Sequence, residues 1–149
     1  STSGPAQADV VRRAFELESG GQPVFSSVQS TWNVFEPSVG PALAEAKAAG
    51  KRVLVKETLA NGRLVSEAPE PLRRIAGAHG VGPDAIAVAA VLGQEWAPVA
   101  VIGPSSTAQL TANLAATQVR LSDDERSVLG GLAQDSREYW AHRSHLGWS

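Results

Sequence analysis

Apolar residues recur along the chain in helical and strand-like rhythms, separated by turn residues. From about Ala6 to Glu18, Val10, Ala14 and Leu17 fall on one helical face, with Val11 and Phe15 beside them. Gly20-Gly21 predicts the end of that helix, because glycine enters the left-handed conformation that closes helices. Pro23 introduces a short β-type run from Val24 to Gln29, and Trp32-Asn33 and Glu36-Pro37 read as loop. Pro41 opens an alanine-rich helix from Ala42 to Ala49 that Gly50 closes. The run from Lys51 to Lys56 is apolar in the middle and charged at both ends, as a buried strand would be. Residues 57–71 read as loop, with Asn61-Gly62 as a turn signal. Leu72, Ile75 and Ala76 predict a helix stopping at Gly80. Gly82-Pro83-Asp84 starts another, from Ala85 to Gln94, which is apolar all round and therefore buried or sandwiched. Pro98 to Ile102 is the third strand, ended by Gly103-Pro104, and a helix follows from Thr107 to Ala115. Ser122 and Glu125 have the spacing of a capping box before a helix reaching about Ala133.

Three valine-rich strands, each separated from the next by a helix, predict an α/β fold of parallel strands covered on both faces, joined by right-handed crossovers. With 149 residues, 43% hydrophobic and 19% charged, the chain is long and apolar enough for one domain with a core. A net charge of −2 argues against a nucleic-acid partner. The absence of cysteine removes disulfides, thiolate zinc sites and a thiol nucleophile. No apolar stretch approaches the roughly 20 residues of a membrane span, and no signal peptide opens the sequence. The expectation is a cytoplasmic protein with no membrane partner. The chain lacks methionine and opens Ser1-Thr2-Ser3-Gly4-Pro5, which reads either as a processed start or as a piece of something longer.

Candidate chemistry is sparse. His79 precedes Gly80, where its charge would favour a helix C-terminus. His142 and His145 share helical spacing but lack a third ligand, so no metal site is expected. No Gly-x-Ser-x-Gly elbow is present. Glu45, Asp123, Asp124 and Glu125 read as solvated or capping. Lys56-Glu57 stands at a strand's carboxyl end, where α/β proteins gather ligands, and reads either as site-lining or as hydrated charge. The best site by physics alone is Gly103-Pro104-Ser105-Ser106, a strand-to-helix turn whose free N–H groups and hydroxyls could hold a phosphate. The alternative is that those serines only cap the helix.

Taken together, these segments resemble the C-terminal half of an aldo/keto reductase. Val28-Gln29-Ser30-Thr31-Trp32-Asn33 resembles the sixth strand of that family, and the run from Val53 to Leu64 the seventh strand and its loop. The run from Val101 to Leu114 resembles the eighth strand and the cofactor-phosphate loop, and Ser1 to Pro5 the end of the fifth strand. The resemblance implies the C-terminal half of a (β/α)8 TIM-type barrel, three to four parallel strands with covering helices over residues 1–134. Residues 135–149 would form a tail over the substrate mouth. It implies an oxidoreductase that reduces carbonyls or oxidises alcohols and sugars with NAD or NADP. Ser1 and Gln29 would touch the nicotinamide, and Leu59 and Asn61 would follow the pyrophosphate. Gly103, Ser105 and Ser106 would sit near the adenosine ribose and its 2′-phosphate, and Gln109 and Asn113 would face the adenine end. Trp140 and Trp148 would close over substrate.

The sequence departs from the family's pattern in three places. Lys56 stands where many members stack an aromatic on the nicotinamide. The phosphate loop carries no basic residue, which weakens the case for NADP over NAD. The family's catalytic Asp, Tyr, Lys and His belong to the first four strands, so no catalytic residue is assigned here; the only tyrosine, Tyr139, lies in the tail. The expected partner is therefore the N-terminal half of such a barrel, with this chain a fragment or split piece of a larger reductase, inactive alone. The competing expectation is a non-catalytic α/β binding or interaction module derived from such a barrel.

Overall fold

The computed structural model describes residues 1–96 and 99–146. Helix α1 (Gln7–Phe15) is followed by a small antiparallel hairpin, β1 (Glu18–Ser19) and β2 (Gln22–Pro23). Then come β3 (Ser27–Thr31), α2 (Gly40–Ala48) and β4 (Arg52–Lys56). A 3-10 turn (Ala60–Gly62) leads into α3 (Arg63–Ser66), α4 (Glu70–His79) and α5 (Pro83–Leu92). The chain continues through β5 (Val99–Ala100), α6 (Thr107–Leu114), a 3-10 turn (Ala115–Gln118), α7 (Asp123–Gly130) and α8 (Ser136–Ser144).

The three longer-range strands form a parallel sheet in the order β3-β4-β5. Gln29 pairs with Leu54, and Leu54 with Val99. Thr2 N–H donates to the Gln29 carbonyl at 2.8 Å, so the first residues run along the free edge of β3. Alternation assigns the two faces. Val28, Val53 and Val55 pack outward against Val11 of α1 and Leu43 and Ala46 of α2. The opposite face carries Gln29 and Leu54, half-buried, and Val99, which is 51% exposed. The expected coverage of both faces is thus met on one face only. The uncovered face is the one a closed barrel fills with stacked side chains.

Several elements differ from the sequence expectation for local reasons. Gly20 and Gly21 do not cap α1, which ends at Phe15; both have positive φ (60° and 74°) and make the tight turn between β1 and β2. Residues 57–71 are not wholly loop: Leu64 is fully buried and nucleates the single-turn α3. The tail carries helix α8 over Ser136–Ser144. Asp135 accepts from the N–H groups of Arg137 and Glu138 and so caps α8. By contrast, α5 buries seven consecutive residues from Ala85 to Val91, as its all-round apolarity demands. The capping box of Ser122 and Glu125 forms in full.

One buried side chain fastens the end of β3 to the rest. Asn33 Oδ1 accepts from the N–H groups of Phe35 (3.0 Å) and Glu36 (3.1 Å), closing a tight turn. Its Nδ2 donates to the Glu57 carbonyl at 3.0 Å and to the Tyr139 hydroxyl at 3.0 Å. Gln7 supports the same corner: its amide exchanges hydrogen bonds with Thr31 N–H (3.2 Å) and C=O (3.0 Å), standing in for a neighbouring strand. Replacing Asn33 by Ala leaves the Phe35 N–H and the Tyr139 hydroxyl without their partner, each costing about 1–3 kcal/mol when unsatisfied. The Glu36 N–H keeps the Asn33 carbonyl and the Glu57 carbonyl keeps the Ala60 N–H. The expected outcome of Asn33→Ala is a loss of at least about 2 kcal/mol in urea unfolding, with Asn33→Asp retaining the acceptor half.

Candidate functional site

The carboxyl ends of the parallel strands open onto two cavities, bordered in common by the loop after β4. The larger, about 720 Å³, is lined by Ser3, Gly4, Lys56, Glu57, Asn61, Trp140, Arg143 and Ser144. Lys56 and Glu57 are neighbours in sequence but serve different partners. Lys56 Nζ donates to the hydroxyls of Ser1 (3.0 Å) and Ser3 (2.8 Å). Glu57 is paired with Arg143 of α8, Nη2 to Oε1 at 3.0 Å, with both side chains mostly shielded from water. The hydrogen bond to Glu57 raises the Arg143 guanidinium above its usual value. Trp140 stands edge-on to Tyr139, with ring centroids 5.4 Å apart.

The loop between the cavities is strained. Glu57 (φ 55°), Ala60 (φ 49°) and Asn61 (φ 57°) all occupy the left-handed region, followed by Gly62 (φ 88°). That conformation costs an L-residue roughly 1–2 kcal/mol. It persists because the loop is over-determined by its anchors: Thr58, Ala60 and Leu64 are buried, and the Glu57 carbonyl is tied to Asn33. Strain of this kind gathers at sites that must hold a fixed shape.

The smaller cavity, about 280 Å³, is lined by Leu59, Val65, Asp84, Gly103, Pro104, Ser105, Gln109 and Asn113. Five residues singled out in the sequence meet here: Leu59, Gly103, Ser105, Gln109 and Asn113. Gln109 Oε1 accepts from Ser105 N–H at 2.7 Å and from Ser105 Oγ at 2.9 Å. The donors of the strand-to-helix turn therefore already converge on one oxygen. Ser106 is different: its Oγ accepts from Gln109 N–H at 3.2 Å, and it caps α6. Asn113 is buried and donates from Nδ2 to Asp84 Oδ2 at 2.7 Å. Asp84, read from sequence only as part of a helix start, is the lining residue that sequence reasoning missed. Its contact with Asn113 spans 29 residues, and no local pattern signals it.

The remaining sequence candidates scatter. Asn61 and Trp140 line the larger cavity, Ser1 holds Lys56 at its rim, and Gln29 lies on the inner sheet face, outside the walls of both. Trp148 lies outside the described residues. His79 Nε2 meets Glu125 Oε1 at 2.8 Å, so it joins α4 to the start of α7 rather than serving only its own helix. Among the described residues, no group of three His, Asp or Glu is placed to hold a metal ion.

No protein-family model matches the sequence, and no curated protein does. Solved structures do match. Gox0644 in its apo form gives a TM-score of 0.71 over 87% of this chain and 45% of its own, at 16% identity. The thermostable aldo-keto reductase Tm1743, solved with the inhibitor epalrestat, gives 0.68 over 81% of this chain and 43% of its own, at 23% identity. Aldose reductase from Giardia Lamblia gives 0.67 over 88% and 42%, at 17% identity. The chain has the fold of half an aldo-keto reductase barrel. A variant of Gox0644 in complex with NADPH matches 98% of this half-barrel and half of its own chain, with a TM-score of 0.64 and 16% identity.

Within the half-barrel, Tyr139 is the buried residue of α8. It is 1% exposed, and the Arg63 guanidinium lies 5.7 Å from its ring centroid. Burial pushes its hydroxyl from 10.0 up to about 12, against the opposing effect of the Asn33 hydrogen bond. Below pH 10 the phenol is neutral in both folded and unfolded chains. Between 10 and about 12 only the unfolded chain loses the proton, so stability falls as pH rises through that window. The fall amounts to about 2–3 kcal/mol. As the chain has one tyrosine, absorbance at the phenolate band reports this group alone. The expected titration is delayed to about pH 12, or breaks earlier and abruptly with unfolding. A smooth midpoint near 10 would show Tyr139 to be exposed.

Proposed function

We propose that this chain is the nucleotide-holding half of an NAD(P)-dependent oxidoreductase, reducing carbonyls or oxidising alcohols or sugars. The observation that carries the reading is the convergence of Ser105 N–H and Oγ on a single oxygen, in a cavity shared with Leu59, Gly103, Gln109 and Asn113. A turn that holds a side-chain carbonyl oxygen in this way has the donor set to hold a phosphate or ribose oxygen. The fold shared with aldo-keto reductases, and the NADPH bound by the Gox0644 variant, support the same reading.

In this reading the dinucleotide supplies or accepts the hydride, and this chain binds and orients it. The adenosine end occupies the smaller cavity beside Asn113 and Gln109. The pyrophosphate follows Leu59 and Asn61 along the strained loop, whose fixed shape limits the loss of freedom on binding. The nicotinamide end reaches the larger cavity near Ser1 and Gln29, with Trp140 on the substrate side. The Glu57–Arg143 pair holds α8 against that mouth. The proton donor and its partners come from the partner that completes the barrel. That partner covers the inner sheet face, where Val99 and Val101 are exposed. A non-catalytic module descended from such a barrel is the second reading. Lys56 favours it, because an ammonium tied to Ser1 and Ser3 stands where an aromatic would stack on the nicotinamide.

Two measurements separate these readings. Calorimetric titration of the 149-residue chain with NAD+ or NADP+ is expected to give dissociation constants no tighter than about 100 μM, since one wall of the site is missing. Low-micromolar binding would refute the need for a second half. The coding sequence ahead of Ser1 is the other observation. Five βα units with Asp, Tyr, Lys and His at strand ends support the reductase, and an initiator methionine directly before Ser1 refutes it.

A further inference from the structure

The smaller cavity contains a charge that the family resemblance did not supply. Asp84 is the only ionisable residue among its lining side chains, and no basic residue accompanies it there. The carboxylate is placed from two sides. Asn113, 95% shielded from solvent, donates from Nδ2 to Oδ2 at 2.7 Å. On the other side, a β-carbon at position 82 would overlap Asp84 Oδ1, so Gly82 leaves the room that the carboxylate uses. Across the cavity, Ser105 presents neutral donors that are occupied by Gln109. Asp84 stands in the first turn of α5.

Such a wall discriminates by charge. An ionised carboxylate accepts a hydrogen bond from a vicinal ribose hydroxyl. A phosphate monoester at the same carbon brings up to two negative charges against it, with no cation among the lining residues to offset them. We infer that Asp84 is the residue that makes this site select an adenine nucleotide with a free ribose 2′-hydroxyl over its 2′-phosphorylated counterpart. The site is therefore an NAD site rather than an NADP site. This inference rests on the proposed nucleotide function and specifies the ligand of that same cavity.

The test uses the adenosine ends alone, because the smaller cavity is built wholly from this chain. Adenosine 5′-monophosphate and adenosine 2′,5′-bisphosphate are titrated into the 149-residue chain. The amide resonances of Ser105 and Gln109 and the side-chain amide of Asn113 are followed. The expected result is at least about tenfold tighter binding of the monophosphate. Asp84→Asn should reduce that preference to about threefold or less by strengthening the bisphosphate, with the amide spectrum remote from the cavity unchanged. Asp84→Ser, which also removes the charge, provides the same readout should Asp84→Asn disturb α5. Equal or tighter binding of the bisphosphate by the unaltered chain would overturn the selectivity and leave the nucleotide site standing. So would a preference that survives both substitutions. If neither ligand moves these resonances at about 10 mM, the cavity is not an adenosine site and the proposed function fails with the inference.

Discussion

The half-barrel depends on four hydrogen bonds made by one buried amide. Asn33 ties the turn after β3, the first residue after β4 and the hydroxyl of α8 to a single point. A parallel sheet of three strands, the last two residues long, has little hydrogen bonding of its own to fix the loops at its carboxyl ends. A primary amide suits the position because it offers donors and acceptors on opposite sides of one plane. Around it, Gln7 extends the sheet edge by mimicking a strand, and buried Glu36 gathers Gln7, Ser38 and Ser136. The shape of the two cavities follows from where these contacts hold the strand ends.

The strained loop after β4 sits directly on this anchor. The Glu57 carbonyl accepts from Asn33 while its side chain reaches Arg143, so the residue is gripped from both the backbone and the carboxylate. It does so with a positive φ of 55°. The strain in Ala60 and Asn61 is offset by the burial of Ala60 and Leu64 together with the loop's own backbone hydrogen bonds, Ala60 N–H to the Glu57 carbonyl at 2.9 Å and Gly62 N–H to the Leu59 carbonyl at 3.0 Å. Loop, cavity wall and core are one packing unit, with the apolar cluster of α4, α5 and α7 behind them.

Much of this was readable from residue order. The parallel strands, the buried α5 and the Ser122 capping box followed from periodicity and spacing, which are local properties. The cavity at Gly103–Gln109 followed from a strand-to-helix turn rich in hydroxyls. Long-range pairings were not readable, because they depend on where separate elements come to rest. Asp84 against Asn113, Glu57 against Arg143 and Asn33 against Tyr139 all join segments at least 29 residues apart. The hairpin at Gly20-Gly21 was misread for another reason: a left-handed glycine pair serves a helix end and a tight β-turn equally well. Helix α8 was missed because its residues carry no apolar stripe; its hold on the body is mainly Tyr139 and Arg143.

Gln109 gives the turn after β5 a particular thermodynamic character. Its carbonyl oxygen is an internal competitor, accepting from both the N–H and the hydroxyl of Ser105. Any ligand oxygen that settles there exchanges one acceptor for another instead of adding new hydrogen bonds. A ligand oxygen at this turn would therefore have to displace Gln109, and a charged oxygen would hold the advantage over an amide carbonyl.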